Sequence, residues 1–578
     1  MPRLPQLPVS PQSKDVTDTF FGYNHRLKIR PGEFFHMKNL STRDFPMLAT
    51  RRRRGMVRKL AKPQGLLAKG GKLAWVDDGT LYYDGEAVYS GLGKDGQKQL
   101  VNMGAYICVF PDKVYYNTAD PSDSGRMELS GLTLPEGETY TLCTVTGAEI
   151  QYETTKPENP ASGQYWHDRE NNSLKQYSEA QGDWVTVVTV YTKVSFPSYT
   201  GDLTEVLHEY DGVEITGASY EEVNGNHALY VVGPNYFVVV ALIDTEEETE
   251  TAGGITITRE VPDMNYVCEC QNRLWGCYYG PDKSGKILNE VYCCALGDPK
   301  NWRSYMGLST DSWTASVGSD GPWTGAVNFL GYPTFFKENT IHRVTVSATG
   351  AHSLYETPAR GVQDGSGESI AIVNEELIYK SRADVCAYQG GFPAGLSQAL
   401  GEQRFSGAVG GCIGSFYYVS MFDEDKHWNL FAYDISNAIW AREDDLHVLH
   451  MAAANDSLYA LDADGVLWDL TGHTGETETK LHWIAQSGIL YYQTFNKKYT
   501  SRYNIMLSAP KGTRLQVFIQ YDSDGVWRYH GEVHFTGVNS ITFPVRPRRC
   551  NHLELRLEGE GDAKIFSIDR ILEEGSDI

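Results

Sequence analysis

The chain has no long apolar run and no recognisable export signal. No stretch of its 578 residues reaches the run of about 20 apolar residues that a membrane-spanning helix needs. Its start, MPRLPQLPVSPQSKD, lacks the apolar centre of a signal peptide. We therefore expect a protein that has no membrane-spanning segment and does not follow the usual export route.

Enzyme signatures are missing as well. The sequence contains no G-x-S-x-G elbow, no Walker loop, no H-E-x-x-H and no dinucleotide fingerprint. A glycosidase of the sialidase type would repeat the turn S-x-D-x-G-x-x-W, and the nearest turns, before Trp323 and Trp527, are each one residue short. These absences predict that the chain is not an enzyme and has neither catalytic residues nor a cofactor.

Metal-ligand spacing is also absent. None of the ten cysteines forms a C-x₂-C pair, although Cys268, Cys270, Cys277 and the adjacent Cys293 and Cys294 could be interpreted as a metal or disulfide cluster. Residues two apart in a strand share a face, so we interpret these cysteines as reduced core thiols. The acidic turns at 462–465 and 522–525 place Gly too early for a calcium loop and are typical of hairpins.

Aromatic residues and glycine are plentiful. The chain has 36 Tyr and 57 Gly, a combination that favours strands joined by tight turns, so the predicted fold class is all-β. In residues 66–130 and 225–478, apolar runs such as KLAWVDDGTLYYDG alternate with Gly/Asp/Asn turns. Six to eight copies of one hairpin unit predict a β-propeller with irregular blades. We expect the last strand, near 466–470, to pair with strands near the start.

Residues 131–224 interrupt this rhythm and predict a small inserted β module. Its aromatic residues Tyr165, Trp166, Tyr177 and Trp184 allow two interpretations. They can form the core of a module too small for a larger one, which we favour. Alternatively they form a sugar-binding face, in which Trp166 and Trp184 contact a glycan.

The last hundred residues, 479–578, have a different pattern. Apolar and polar residues alternate strictly in 514–520 (RLQVFIQ) and 552–557 (HLELRL). This period of two is typical of strands with one buried face. We predict a separate C-terminal β-sandwich.

Charge divides the chain unevenly. Residues 1–72 hold 16 Lys/Arg against 4 Asp/Glu, residues 73–478 hold 22 against 59, and residues 479–578 hold 13 against 11. We therefore predict a basic N-terminal arm with entry strands in residues 1–65. Its basic run contains the candidate partner-docking residues Arg51, Arg52, Arg53, Arg54 and Arg58. The plainer interpretation, which we favour for the run as a whole, is a solvated or subunit-contacting strand, and contact with DNA phosphates is the third and least favoured alternative.

Both ends of the chain resemble a known group of phage proteins. The segment FFGYNHRLKIRPGEFFHMKNLSTRDFPMLATRRRRG (residues 20–55) is similar to the N-terminal motif of packaged-DNA stabilisation and tail proteins. Asn39-Leu40-Ser41, Asp44, Pro46 and the four arginines 51–54 stand at corresponding places. The ending from KYTSRYNIMLSAP onward resembles the C-terminal sandwich of the same proteins, and the inserted module resembles those often found in phage tail and fibre proteins.

The resemblance implies a structural protein of the virion tail. In short-tailed phages, six copies of such a propeller protein form a nozzle ring below the portal and adaptor, and the ring extends the channel through which double-stranded DNA leaves. It implies no enzyme and no cofactor, and it names further copies, most simply a hexamer, and portal or adaptor as partners. An acidic wall would repel DNA in transit. The alternatives are a receptor-binding tail protein that recognises host-surface glycans and, further off, a glycan-cleaving propeller.

Overall fold

A two-layer sandwich brings the two ends of the chain together. The computed structural model of the chain describes residues 12–244, 254–347, 350–491, 497–535, 537, 539–546 and 548–574. One sheet contains Leu40–Ser41, Leu48–Thr50, Lys564–Glu574, Lys498–Ser508 and Asn539–Pro544, with Gln12–Thr17 paired to Lys564–Glu574. The other contains Gly22–Tyr23, Glu33–Lys38, His482–Ser487, Leu553–Glu560, Arg514–Tyr521 and Arg528–His534.

The N-terminal segment is thus part of the sandwich, whereas the sequence analysis treated it as a separate arm. Its strands pair with C-terminal strands in both sheets. The strict alternation of the C-terminal strands explains the core, because residues such as Leu515, Val517 and Ile519 are all fully buried. The first eleven residues, on which the expectation about export rests, lie outside the described ranges.

The middle of the described chain forms a propeller of seven blades, within the predicted range of six to eight. Antiparallel hairpins build each blade, and the strands run from the central axis outwards. In order, the strands are Pro63–Lys69, Lys72–Asp77, Thr80–Tyr83 and Glu86–Ser90 in blade 1; Gln99–Met103, Tyr106–Phe110, Val114–Asn117 and Gly125–Arg126 in blade 2; Tyr266–Glu269, Leu274–Pro281, Ile287–Cys293 and Trp313–Ser316 in blade 3; Gly325–Phe329, Tyr332–Phe336, Thr340–Val346 and His352–Pro358 in blade 4; Ala371–Val373, Glu376–Lys380, Val385–Tyr388 and Ala394–Gly395 in blade 5; Phe405–Ile413, Phe416–Asp423, Trp428–Asp434 and Ile439–Asp444 in blade 6; and Val448–Ala454, Ser457–Asp462, Val466–Asp469, Gly55–Lys59 and Glu476–Thr477 in blade 7.

An N-terminal strand closes the ring. Gly55–Lys59 pairs antiparallel with Val466–Asp469, as the sequence analysis expected for the last strand. The inner strands contact those of the neighbouring blades, and Val448–Ala454 of blade 7 contacts Pro63–Lys69 of blade 1. Blade 7 therefore combines strands from both parts of the chain and contacts blade 1 through its inner strand.

The inserted module lies between blades 2 and 3 and is larger than the sequence suggested. Its three four-stranded sheets are Leu129–Thr133, Thr256–Arg259, Gly212–Thr216 and Gly225–Ala228; Thr139–Cys143, Tyr191–Ser195, Tyr236–Val240 and Val231–Gly233; and Tyr152–Glu153, Tyr165–Asp168, Ser173–Ser178 and Asp183–Thr186. We call residues 127–265 the insert and the third sheet the aromatic sheet. Strands 225–259, which the sequence analysis gave to the propeller, pair within the insert, because a hairpin pattern does not specify which sheet it joins.

The insert has its own core and a polar anchor on blade 3. Its core is built around Phe196, Phe237 and Ile215, which are fully buried. At the anchor, Arg259 pairs with the buried carboxylate of Asp211 at 2.7 Å. Asn301, in the loop between the last two strands of blade 3, donates from Nδ2 to the backbone oxygen of Tyr210 at 2.6 Å. The insert therefore lies at the rim of blade 3.

The sandwich packs on blade 6. A continuous apolar core joins them: the rings of Tyr23 and Phe431 lie 5.6 Å apart. Gly22 permits this close approach, since a Cβ there would collide with the backbone oxygen of Trp440. Blade 6 is three blades away from blade 3 in one direction and four in the other. The sandwich and the insert therefore occupy opposite sides of the propeller.

The remaining elements are short. The described residues contain five 3₁₀-helices, Arg169–Asn171, Leu203–Glu205, Glu221–Val223, Gly367–Ser369 and Gln398–Leu400, and none of their helices has the length and apolar character to span a bilayer. All ten cysteines are free thiols and nine are buried, which confirms the interpretation as core residues. Burial raises the pKa of the Cys270 thiol to about 12, so it stays protonated at neutral pH.

Candidate functional site

The arginine run forms the junction between sandwich and propeller. Residues 51–54 connect the sandwich strand Leu48–Thr50 to the closing strand Gly55–Lys59. The run is irregular in conformation, so neighbouring side chains point in different directions. Two of the four arginines face inward, towards carboxylates of blade 6 and of the segment that leads back into the sandwich.

Arg51 is held by a bidentate ion pair. Its Nη1 and Nη2 donate to the two carboxylate oxygens of Glu478 at 2.8 and 3.1 Å, and its Nε donates to Asn39 Oδ1 at 2.7 Å. Only 5% of Arg51 is exposed. Paired forks of this kind fix both partners in one geometry.

Arg54 is buried between two adjacent carboxylates. Its Nη1 donates to Asp444 at 2.6 Å and its Nη2 donates to Glu443 at 2.9 Å. Burial opposes ionisation of Asp444, but the guanidinium groups of Arg54 and Arg51 outweigh it and lower the pKa of that carboxyl. Burial likewise opposes ionisation of Glu478, and the hydrogen bond from Arg51 leads the effects that lower its pKa. Asp444 and Glu478 are therefore charged at neutral pH.

These contacts correct part of the docking prediction. Arg51 and Arg54 are buried and their guanidinium groups are already paired with internal carboxylates, so neither is available to a partner. Arg53 is half-buried and forms a pair with Asp562 at 3.0 Å. Arg52 is exposed beside His473, and the exposed Arg58 lies over the Trp75 ring at 5.0 Å. For these three residues docking stays a prediction.

A different basic surface is exposed in the N-terminal segment. The loop of residues 25–30 presents Arg26, Lys28 and, at its tip, Leu27, which is 94% exposed. Within the described ranges, neither Arg26 nor Lys28 has a carboxylate partner. The loop borders a cleft of about 900 Å³ that Tyr491 and Leu490 also line. The sequence analysis missed this loop because its charges are spaced, whereas the arginine run is continuous.

The aromatic sheet carries the two candidate glycan contacts. The Trp166 and Trp184 rings lie 5.6 Å apart with their planes at 70°, and Tyr177 lies 5.5 Å from Trp184. All three side chains are partly exposed. Tyr165 points to the other face of the sheet and packs on the insert core. The favoured interpretation, a core of four aromatics, therefore fits Tyr165 alone, and the glycan contact of Trp166 and Trp184 stays a prediction.

Charge is distributed unevenly over these three parts. The insert contains 5 Lys/Arg and 24 Asp/Glu. The propeller, 55–126 with 266–478, contains 22 and 35, and the sandwich, 1–54 with 479–578, contains 24 and 15. The acidic excess of residues 73–478 is therefore concentrated in the insert, and the sandwich is basic. Among the described residues, no group of three or more His, Cys, Asp or Glu could hold a metal ion.

Comparison with known proteins gives structural matches alone. No family model and no curated protein matches the chain. A puromycin hydrolase variant complexed with PGG is 10% identical, with a TM-score of 0.20, over 74% of this chain and 58% of that chain. A puromycin hydrolase and a puromycin-hydrolyzing peptidase of Mycobacterium tuberculosis are each 10% identical over 71% of this chain and 61% of theirs, with TM-scores of 0.17 and 0.23. The chain thus spans 58 to 61% of their length.

These matches correct the expectation about catalysis. The sequence analysis predicted that the chain is not an enzyme because local signatures are missing, yet the structures it resembles are hydrolases, so that prediction is wrong as an exclusion. The physical reason is that catalytic groups meet through the fold and need no short motif in the sequence. At these TM-scores the matches assign no activity to this chain.

Proposed function

We propose that the chain is a structural protein of a phage tail, a nozzle or hub whose copies form a ring that extends the DNA-ejection channel. The single observation that carries this proposal is the placement of a basic sandwich and an acidic insert on opposite sides of one closed propeller. The resemblance of residues 20–55 and of the chain's end to phage tail proteins supports the same reading.

Opposite charges on opposite sides favour head-to-tail association. The basic surface of one copy, led by Arg26 and Lys28, can face the acidic insert of the next copy. Such a contact joins two different surfaces, and repeated around an axis it closes into a ring when the rotation allows. Charge complementarity also steers the encounter and fixes the orientation. The exposed Leu27 adds an apolar contact at the centre of the basic loop.

The direct linkage of sandwich and propeller suits this role. A ring transmits its contacts through each subunit, so the two parts of a subunit should not move independently. The pairs of Arg51 and Arg54, together with the shared core on blade 6, join them. Net negative charge on propeller and insert would keep a passing DNA duplex from adhering.

Charge reversal of the basic loop tests the proposal. Native mass spectrometry of the purified chain should record oligomers, six copies in the simplest case, that dissociate as salt rises. The variant Arg26→Glu/Lys28→Glu should remain monomeric. The control Arg382→Glu/Lys426→Glu makes the same change at exposed positions of blades 5 and 6 and should assemble normally. A chain that stays monomeric at every salt concentration, or a loop variant that assembles like the control, would contradict the proposal.

A further inference from the structure

We propose that the solvent face of the aromatic sheet is a binding site for a saccharide that carries carboxylate groups. The inference is independent of ring formation. It rests on three features of the described residues: which side chains share that face, how much of them is exposed, and where the few basic groups of the insert lie.

The register of the sheet places the three rings on one face. Trp166 pairs with Lys175 of the strand Ser173–Ser178. Tyr177 lies two residues after Lys175 in that strand and pairs with Trp184. Side chains of paired residues and of residues two apart project from the same side. The opposite side, which includes Tyr165 and Leu174, packs on the insert core. The three rings therefore contribute nothing to that core and remain at the surface.

The three rings form one contiguous, partly exposed aromatic group, and apolar patches of this kind at a surface often mark binding sites. The rings meet edge to face, at 62° and 70°, and so form an angled platform. The apolar face of a pyranose ring, which is lined by C–H groups, can stack on such rings. Its hydroxyl groups can then reach neighbouring polar groups. Trp and Tyr provide this combination of apolar face and polar edge.

Two lysines lie over the platform, and one of them supplies an uncompensated positive charge. The ammonium groups of Lys156 and Lys175 lie 5.4 and 5.3 Å from the centre of the Trp166 ring. Lys175 is neutralised by Asp168 at 2.7 Å. Lys156 is exposed and, within the described ranges, has no carboxylate partner. A carboxylate on a sugar stacked against Trp166 can pair with Lys156.

The rest of the insert makes this positive spot selective. Of the insert's five basic residues, Arg169 and Arg259 pair with Asp244 and Asp211, and Lys193 lies over the Tyr236 ring. The other two are the lysines of the platform. The insert holds 24 acidic residues in all, and this net negative charge opposes the binding of a polyphosphate such as DNA. A saccharide with spaced carboxylates can place one of them at Lys156 and keep its neutral surface on the rings.

Titration calorimetry with the full chain tests the site. The probes are a hexasaccharide that carries one galacturonic acid residue among neutral sugars, the same hexamer methyl-esterified so that its charge is removed, and an eight-nucleotide oligothymidylate. We expect binding of the acidic hexamer, with about fivefold lower affinity for the methyl ester, because an ion pair with the exposed Lys156 contributes up to about 1 kcal/mol.

Variants assign the binding to the platform. Trp166→Ala and Lys156→Glu should each weaken the acidic hexamer about tenfold or more, and Tyr529→Ala, an exposed aromatic of the sandwich, should leave it unchanged. Lys156→Glu changes an exposed residue, so it remains informative if Trp166→Ala unfolds the sheet. The proposal is overturned if the acidic hexamer does not bind, or if the ester or the oligothymidylate binds with the same affinity as the acidic hexamer. It is also overturned if Lys156→Glu leaves the affinity unchanged, or if Trp166→Ala disrupts oligomers and leaves saccharide binding intact.

Discussion

Arg54 illustrates how a conspicuous surface feature of a sequence becomes an internal one in the fold. Four consecutive arginines predict a charged surface, and for Arg52 the structure agrees. The partners of Arg54, however, lie 389 and 390 residues further along the chain. No local pattern can reveal a pairing over that distance, because it depends on the sandwich docking on blade 6. The sequence thus predicted the charge of these residues correctly and their environment only in part.

Removal of Arg54 should be costly. Arg54→Ala leaves the carboxylates of Glu443 and Asp444 buried without their cation, and loss of one partner of such a pair costs about 3–5 kcal/mol. Arg52→Ala changes an exposed arginine of the same run and should alter stability by no more than about 0.5 kcal/mol. Urea unfolding followed by tryptophan fluorescence measures both. Equal midpoints for the two variants would contradict the assigned roles.

The junction also predicts a response to acid. The pKa values of Asp444 and Glu478 are lower in the folded chain than in the unfolded chain, where carboxyls titrate at about 4. Their stabilisation is therefore complete above about pH 4 and is lost as the pH falls through the folded-state values. Thermal unfolding temperatures recorded from pH 7 down to pH 3 should drop more steeply for the wild type than for Glu478→Gln, which lacks one of these carboxylates. Parallel curves would count against the ion pairs.

At the level of elements, the sequence predicted the hairpins correctly but did not predict which sheet each hairpin joins. Strand, turn and strand in KLAWVDDGTLYYDG appear as expected in blade 1. The same pattern in residues 225–259 belongs to the insert, where Tyr236–Val240 pairs with Tyr191–Ser195. Alternation and turn residues determine that a hairpin forms. Long-range packing determines where it goes, so the insert was predicted to be shorter than it is.

A substitution at Gly55 tests whether the strand Gly55–Lys59 closes the propeller. Gly55 begins this strand, and a Cβ at Gly55 would collide with the backbone oxygen of Thr474. Gly55→Ala should displace the strand from blade 7 and cost about 1–3 kcal/mol, the usual penalty for overpacking.

Gly391→Ala is the matched control for this substitution. A Cβ at Gly391 would meet no atom within 4 Å, so its effect should stay within about 0.5 kcal/mol. Hydrogen exchange of the amides in Val466–Asp469 adds a local readout, since they should lose protection in Gly55→Ala alone. Unchanged protection there would mean that the strand does not close the propeller.

At the level of the whole molecule, the sequence predicted an uneven distribution of charge, and the structure places the two kinds of charge in different parts of the fold from those expected. The basic N-terminal segment is part of the sandwich, and some of its arginines form ion pairs with internal carboxylates. The acidic excess lies chiefly in the insert at blade 3, opposite the sandwich on blade 6. Only the closed ring of blades reveals that opposition, because the two regions are interleaved along the chain.

Deletion of the insert tests whether the propeller folds without it and whether oligomers need it. The inner strands Gln99–Met103 and Tyr266–Glu269 of blades 2 and 3 contact each other directly. A chain in which a short Gly/Ser linker replaces residues 128–264 should therefore keep a folded propeller, as judged by circular dichroism and a cooperative thermal transition. It should fail to form oligomers because it lacks the acidic side of the contact. Oligomers that persist after the deletion would show that the insert is not part of the subunit interface.

Electron microscopy of the purified chain at low salt would show directly whether the subunits form a ring. We expect closed rings, six-fold in the simplest case, in which the sandwich of each subunit contacts the insert of the next. Two-fold dimers joined through like surfaces, or single particles at every concentration, would contradict it.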